Sequence, residues 1–179
     1  MKKNIKIAIS GRSGCGNTTV SRLVAEILDL NFINFTFRSL ATERNIDLKT
    51  ILELAKNDES WDREVDTHQV KLARDSDGCV IGSRLAVWLL EEADVKVYLQ
   101  ASAKIRADRI VDRDGGNPDE VRAFTVERDR QDHERYLRIY GIDTKDFDFV
   151  DLVIQTENMT PLQIADMVVK KAEQVKENC

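Results

Sequence analysis

A short apolar run near the start of the chain leads directly into a glycine-rich loop and then into a helical pattern. The segment is IAISGRSGCGNTTVSRLV, residues 7–24, and its glycines are Gly11, Gly14 and Gly16. Glycines at this spacing let the backbone curl so that successive N–H groups point at one anion, and the N-terminal end of the following helix adds positive charge. The segment therefore predicts a phosphate-binding loop between a strand and a helix.

The end of the loop predicts a metal-binding hydroxyl but lacks the usual cation. Thr18 occupies the position whose hydroxyl normally holds Mg²⁺, and Thr19 extends the helix cap. We therefore expect the whole loop to bind a nucleotide triphosphate with Mg²⁺ at Thr18. The loop comprises Gly11, Arg12, Ser13, Gly14, Cys15, Gly16, Asn17, Thr18 and Thr19.

Asn17 stands where this motif has a lysine. The lysine normally bridges the terminal phosphates, so a neutral amide removes a cation from the transition state. Arg12, second in the loop, can curl back over the same phosphates and offer bidentate contacts. Two interpretations stay open: Arg12 replaces the lysine, or Arg12 is a solvated charge and arginines elsewhere supply the positive field.

Five short apolar runs alternate with helical patterns along the chain. Strands alternating with helices favour right-handed crossovers and a mostly parallel sheet with both faces covered. The predicted class is α/β. The predicted strands are IKIAIS (5–10), FINF (32–35), CVIGS (79–83), VKVYL (95–99) and DLVIQT (151–156).

Length and charge restrict the classes of partner. The chain has 179 residues, which predicts a single domain, 1–179, and its net charge of −5 gives no general attraction to nucleic acid or anionic lipid. Cys15, Cys79 and Cys179 lie far apart, and an odd count argues against a disulfide framework. No apolar segment approaches membrane-spanning length. We expect a cytoplasmic protein, monomeric or weakly dimeric, with no nucleic acid polymer or membrane as partner.

Three longer segments resemble cytidylate kinases, especially their short archaeal-type branch. They are FRSLATERNIDLKTILELAKNDESWDREVDTHQVKLA, GSRLAVWLL and ERDRQDHERYLRIYGID. The resemblance implies a P-loop nucleoside monophosphate kinase fold, with a five-stranded parallel sheet flanked by helices. It also implies a monophosphate-binding region at about 36–75 and a lid at about 113–128. The implied reaction moves the γ-phosphoryl of ATP to CMP or dCMP, with Mg²⁺.

The resemblance also implies an acceptor site rich in arginine. Arg128, Asp132 and Arg135 match the family's R-x-x-x-D-x-x-R pattern, and their i, i+4, i+7 spacing puts them on one helical face. A solvated helix with i,i+4 ion pairs would also satisfy these charges. The substrate-binding residues that the resemblance implies are Arg38, Asp66, Arg84, Arg128, Asp132 and Arg135.

The segment before the lid supplies further arginines. In the resemblance Arg109 lies against adenine, as suits a planar cation, and Arg113 sits at the lid hinge near the transferring phosphoryl. Gly115 and Gly116 permit the backbone change that a lid needs. The expected catalytic residues are Arg12, Arg113 and Arg128.

Two other functions stay open on the sequence alone. Because of Asn17, the chain can instead be a nucleotide-binding protein with weak or no kinase turnover. A kinase acting on another small acceptor would keep the fold and make the match at Arg128, Asp132 and Arg135 coincidental.

Overall fold

Five parallel strands form one sheet in the order β2-β3-β1-β4-β5. The computed structural model describes residues 4–177, and Cys179 lies outside them. Each predicted strand is present, with bounds shifted by one or two residues. The strands are β1 (Lys6–Gly11), β2 (Asn31–Ile33), β3 (Cys79–Gly82), β4 (Val95–Gln100) and β5 (Leu152–Gln155).

Eight helices in the described part of the chain flank the sheet. The long charged region 38–75 divides into three of them, because Asn45 adopts a left-handed backbone (φ 53°) that ends one helix and Asp47 caps the next. A short helix at Ala86–Leu89 was not predicted. The helices are α1 (Asn17–Leu28), α2 (Phe37–Arg44), α3 (Leu48–Ala55), α4 (Ser60–Asp75), α5 (Ala86–Leu89), α6 (Ala103–Asp114), α7 (Pro118–Tyr140) and α8 (Pro161–Glu177).

The sheet is covered on both faces, which explains its nearly continuous apolar strands. Ile7 and Ile9 of β1 pack into a core with α1 and α8, whereas Ala8 between them packs into a second core with α4 and α5. Alternate side chains of a strand point to opposite faces, so one strand serves both cores. This rigid sheet fixes the positions of the loops that follow its strands.

Helices α2 to α4 have a small core of their own. Its buried residues are Phe35, Leu40, Ala41, Ile51 and Val65. This core is separate from the two that cover the sheet, so the region rests on the sheet as a small unit. It corresponds to the predicted monophosphate-binding region at about 36–75.

A glycine pair separates α6 from the long α7. Gly115 and Gly116 have φ values of 78° and 109°, which L side chains rarely adopt. Asn117 then caps α7 by accepting hydrogen bonds from Asp119 N and Glu120 N, with Pro118 in the first turn. Helix α7 continues without a break for 23 residues.

In the described part of the chain no helix is long and apolar enough to cross a membrane.

Candidate active site

A cleft of about 810 Å³ lies at the carboxyl edge of the sheet. The loops that follow β1, β2 and β3 form its floor, and α4, α6 and α7 contribute its walls. Ligands of open parallel sheets bind at this edge. The predicted site residues that line the cleft are the loop 11–19, Arg38, Asp66, Arg84, Arg109, Arg113 and Arg128.

The glycine-rich loop has the conformation that its sequence predicts. Gly14 and Gly16 have φ values of 85° and 90°. A Cβ on Gly14 would lie 2.7 Å from the carbonyl oxygen of Arg106, so only glycine lets the start of α6 pack against the loop. Within the described residues no side chain caps α1, which leaves its first backbone N–H groups directed at the cleft. The loop can therefore bind an anion through its backbone.

A buried ion pair supports the loop from behind. Arg106 is only 1% exposed, and its guanidinium donates to Asp129 Oδ1 and Oδ2 at 3.1 and 2.5 Å and to the carbonyl oxygen of Ser13 at 3.0 Å. Sequence reasoning assigned no role to Asp129. The available signal was the i, i+3 spacing of Arg106 and Arg109, which puts both guanidiniums on one face of α6.

Two of the predicted arginines, Arg12 and Arg109, lie next to this ion pair. Arg12 is 45% exposed, and its Nη1 lies 3.6 Å from Asp129 Oδ2. Arg109 donates to Thr156 O at 2.5 Å and Thr156 Oγ1 at 2.9 Å, and it also contacts Gly14 O at 3.4 Å. Arg109 is therefore fixed between the loop and the end of β5, whereas Arg12 is freer to reach into the cleft.

The amide of Asn17 lies beside a serine and a glycine. Its Oδ1 accepts a hydrogen bond from Ser21 Oγ at 3.3 Å. Opposite it lies Gly82, where an added Cβ would be 3.6 Å from Asn17 Oδ1 and 2.5 Å from Ser21 Oγ. Kinases of this loop type commonly hold magnesium with an acidic residue on a neighbouring strand. Here the residue at the end of β3 has no side chain, so neither the cation nor an opposing acid is present at these two positions.

Thr18 offers one hydroxyl to a metal ion. The Thr18 side chain is exposed in the cleft, and its Oγ1 accepts from Asn34 Nδ2 at 3.3 Å. Among residues 4–177 no cluster of three or more His, Cys, Asp or Glu side chains is arranged to hold a metal. This donor set suits magnesium bound mainly by phosphate oxygens and water, with one protein hydroxyl.

Two arginines face the other end of the cleft. Arg84 follows β3, and its Nη1 lies 2.7 Å from Asp132 Oδ2; Arg128 Nε lies 4.0 Å from the same oxygen. Burial by itself would lower the pKa of Arg84. The neighbouring Tyr136 and Asp132 together have a larger effect, so the pKa of Arg84 is raised. Burial and the neighbouring Arg84 lower the pKa of Arg128. Two partly buried cations sharing one carboxylate leave excess positive charge, which suits a phosphate dianion.

The remaining predicted residues are not all directed at the cleft. Arg135 forms an ion pair with Asp62, a buried residue of the cleft wall. Arg38 lines the cleft and is exposed. Arg113 also lines it, with its guanidinium bonded to the adjacent Asp114 at 2.6 and 2.8 Å. Among the predicted site residues in the described part of the chain, Asp132 and Arg135 do not line the cleft themselves. They contact residues that do line it.

Asp66 belongs to a polar cluster in the wall formed by α4. Its Oδ2 accepts from the Tyr140 hydroxyl at 2.7 Å, and its Oδ1 accepts from Gln69 Nε2 at 3.0 Å. Burial raises the pKa of Asp66 to about 6. Sequence reasoning missed both partners, because Tyr140 is 74 residues away and Gln69 has no charge to mark it.

Comparison with known proteins agrees with this geometry. A family model described as the cytidylate kinase-like family matches residues 6–158. The chain belongs to the cytidylate kinase-like family. A relative named cytidylate kinase 2, from Borreliella burgdorferi, is 43% identical over 168 residues, covering 92% of this chain and 93% of the relative. A cytidylate kinase from Sulfolobus acidocaldarius is 35% identical over 168 residues, covering 92% of each chain.

Solved structures confirm the fold of this cytidylate kinase-like chain. Shikimate kinase from Bacteroides thetaiotaomicron superposes with a TM-score of 0.62 at 14% identity, covering 97% of this chain and 98% of that one. At this identity the likeness concerns the fold alone. The predicted P-loop kinase fold is therefore confirmed, and the family resemblance is confirmed with it. The roles of the individual site residues stay predictions.

Proposed function

We propose that this chain transfers the γ-phosphoryl group of ATP to CMP or dCMP, giving ADP and CDP or dCDP. The observation that carries the proposal is that two anion sites face one cleft. One is the glycine-rich loop with its open N–H groups, and the other is the pair Arg84 and Arg128. Phosphoryl transfer requires chiefly that two phosphates be held in line and their charge stabilised. Relatives named cytidylate kinase support a cytidine nucleotide as acceptor.

On the donor side, the backbone of residues 11–18 would hold the β-phosphate, and Thr18 would bind Mg²⁺. When bound, magnesium neutralises charge on the phosphates and orients them. Arg109 would lie against adenine. Arg12 and Arg113 would approach the transferring phosphoryl and stabilise charge as it develops.

On the acceptor side, Arg38, Arg84 and Arg128 would bind the monophosphate. The carboxylate of Asp132 lies 2.7 Å from Arg84 and 4.0 Å from Arg128, and it would accept a hydrogen bond from a sugar hydroxyl. Arg135, which is paired with Asp62, would contribute to binding the substrate, and Asp66 would contact the base. Each of these roles is part of the proposal.

Residues 1–179 would form a single kinase domain. The segment 36–75 would bind the monophosphate, and the segment 113–128 would close as a lid over both nucleotides and exclude water. Its partners would be small nucleotides, in a cytoplasmic protein that is monomeric or weakly dimeric.

A coupled assay of ADP release across the common nucleoside monophosphates tests the proposal. Turnover that is selective for CMP or dCMP is the expected result, and selective turnover of any other acceptor contradicts it. Arg128→Ala should weaken CMP binding by about 1.5–3 kcal/mol, the usual cost of a lost hydrogen bond to a charged group. Calorimetry with CMP measures this, and an unchanged affinity would leave Arg128 as a solvated helix charge.

A second candidate function is nucleotide binding with little turnover. Asn17 and Gly82 favour this function, because they stand where a loop lysine and an opposing acidic residue would be. The same assay separates the two candidates. Tight binding of ATP and CMP by calorimetry, without ADP release, would select this second function.

A further inference from the structure

Gln69 carries a buried acceptor that the protein leaves unused. The residue lies on α4 in the wall of the cleft and is only 2% exposed. Its Nε2 donates to Asp66 Oδ1 at 3.0 Å, which fixes the orientation of the amide. Its Oε1 is buried and has no hydrogen-bond partner within residues 4–177. Buried polar atoms are nearly always paired, so an orphan oxygen in a binding cleft calls for a ligand.

Apolar side chains line the same cleft as Gln69. They come from α3, α4 and the loop after β2, namely Phe35, Leu48, Leu52 and Val65. Apolar walls suit the faces of a planar ring, while a few polar groups fix its orientation. Gln69 and Asp66 are polar groups that line the cleft beside these apolar walls.

The free polar atoms of this cluster are acceptors. Asp66 Oδ2 already accepts from Tyr140 and Oδ1 from Gln69, but each carboxylate oxygen has a second lone pair. Gln69 Oε1 belongs to the same amide as Nε2, so it lies within about 5 Å of the carboxylate. One nitrogen with two N–H groups can donate to both acceptors at ordinary hydrogen-bond lengths.

We infer that Gln69, together with Asp66, binds the 4-amino group of cytosine and is the residue that makes the site prefer CMP to UMP. The inference rests on the proposed function and adds the basis of its base specificity. Cytosine presents an amino group at this edge, whereas uracil presents a carbonyl oxygen. A carbonyl there would face two acceptors and leave Gln69 Oε1 unpaired. A site built to bind a donor rejects an analogue that lacks it.

The test compares CMP with UMP in the wild type and in Gln69→Met, which keeps the side-chain length and removes both polar atoms. The wild type should prefer CMP by about 100-fold or more in kcat/KM. The variant should lose about tenfold to a hundredfold with CMP and change less than about threefold with UMP. A CMP to UMP ratio that is the same in both proteins overturns the inference.

The matched control is Lys71→Met, an exposed position on the same helix, which should leave the ratio unchanged. A ligand series on the wild type keeps the test independent of how the variant folds. The 5′-monophosphate of the 2-pyrimidinone nucleoside has hydrogen in place of the amino group. Calorimetry should show it binding at least about tenfold more weakly than CMP, and equal affinity would refute the inference.

Failure of the proposed function looks different from failure of this inference. If the wild type turns over no monophosphate, the proposed activity is wrong, while the calorimetric comparison of CMP, UMP and the 2-pyrimidinone nucleotide still decides the role of Gln69. If the wild type turns over CMP and UMP with equal kcat/KM, the inference fails and the kinase activity stands.

Discussion

At the scale of single residues, Asn17 changes the charge distribution of the phosphate site. Its amide bonds to Ser21, and Gly82 opposite it leaves no room for a side chain unless Ser21 moves. A lysine restored at position 17 would therefore meet no acid on β3. Arg12 is the one cationic residue within the loop itself; it is 45% exposed, and its Nη1 lies 3.6 Å from Asp129 Oδ2.

We predict that Asn17→Lys leaves kcat within about threefold of wild type, because the added cation crowds the arginines already around the phosphates. Arg12→Ala should lower kcat by about 100-fold and change KM less, since its contact strengthens as charge develops. Steady-state kinetics of both single variants and the double variant measure this. A fully active Arg12→Ala would exclude Arg12 as the replacement for the lysine.

Asp66 makes stability depend on pH. Burial raises its pKa from 3.8 to about 6, so the folded state favours the protonated form. Its contribution to the free energy of unfolding is greatest below pH 3.8 and is lost as pH rises through about 6. The side chain of Asp66→Asn cannot ionise, so this variant does not lose stability as the pH rises. Its free energy of unfolding relative to wild type should therefore increase by up to about 3 kcal/mol as the pH rises from below 3.8 to above 6.

Urea unfolding of wild type and Asp66→Asn at several pH values between 4.5 and 8 measures the effect. Roughly half of the relative gain, about 1.4 kcal/mol, should appear above pH 5. Asp58→Asn is the control, because hydrogen bonds from Ser60 lower the pKa of Asp58 below 3.8, so the difference between this variant and wild type should change little between about pH 4.5 and 8. A pH-independent difference between wild type and Asp66→Asn would show that burial does not destabilise the Asp66 carboxylate.

At the scale of elements, the contact between α6 and α7 holds the loop. Arg106 on α6 and Asp129 on α7 form a buried pair, and Arg106 also bonds to the Ser13 carbonyl. Burying such a pair contributes little net stability by itself, but removing one partner leaves a buried charge uncompensated. The pair therefore fixes the loop geometry more than it stabilises the fold.

We predict that Asp129→Ala lowers the free energy of unfolding by about 3–5 kcal/mol, because Arg106 is 1% exposed and loses its carboxylate. Denaturant unfolding with a matched ATP titration checks both stability and loop geometry. The control is Glu127→Ala, which removes an exposed partner of Arg130 on the same helix and should leave stability unchanged. Equal effects of the two variants would contradict a structural role for the buried pair.

At the scale of the whole molecule, the sheet with its two cores is a fixed base for two attached parts. One is the region of α2 to α4, with its separate core, and the other is the hairpin of α6 and α7, joined by two glycines at positive φ. Residues 112–120 are all exposed, so few contacts hold the hairpin tip. Such segments open locally at low cost in free energy.

We predict that backbone amides of 113–128 exchange quickly in the free protein and slow by about tenfold or more with a bisubstrate analogue bound. Amides of β1 and β4 should exchange slowly in both states. Hydrogen exchange with peptide-level readout measures this directly. Equal protection of 113–128 in the two states would remove lid closure from the proposed mechanism.

The sequence predicted what local patterns determine. Alternation and apolar runs located all five strands, and glycine spacing located the loop, because these features depend on residues close together in the chain. Contacts across long separations were missed: Asp66 with Tyr140, Arg106 with Asp129, and Gly82 facing Asn17. Each joins different elements, and no periodicity within one element determines such a pairing.

Helix α7 contributes contacts at both ends of the cleft. Asp129 contacts the arginines behind the loop, Asp132 contacts Arg84 after β3, and Tyr140 contacts Asp66 on α4, all from one unbroken helix. If a nucleotide shifts α7 at one end of the cleft, the contacts of α7 at the other end shift with it. Linkage then requires that any change in affinity be reciprocal: the factor by which one nucleotide changes the affinity for the second equals the factor by which the second changes the affinity for the first.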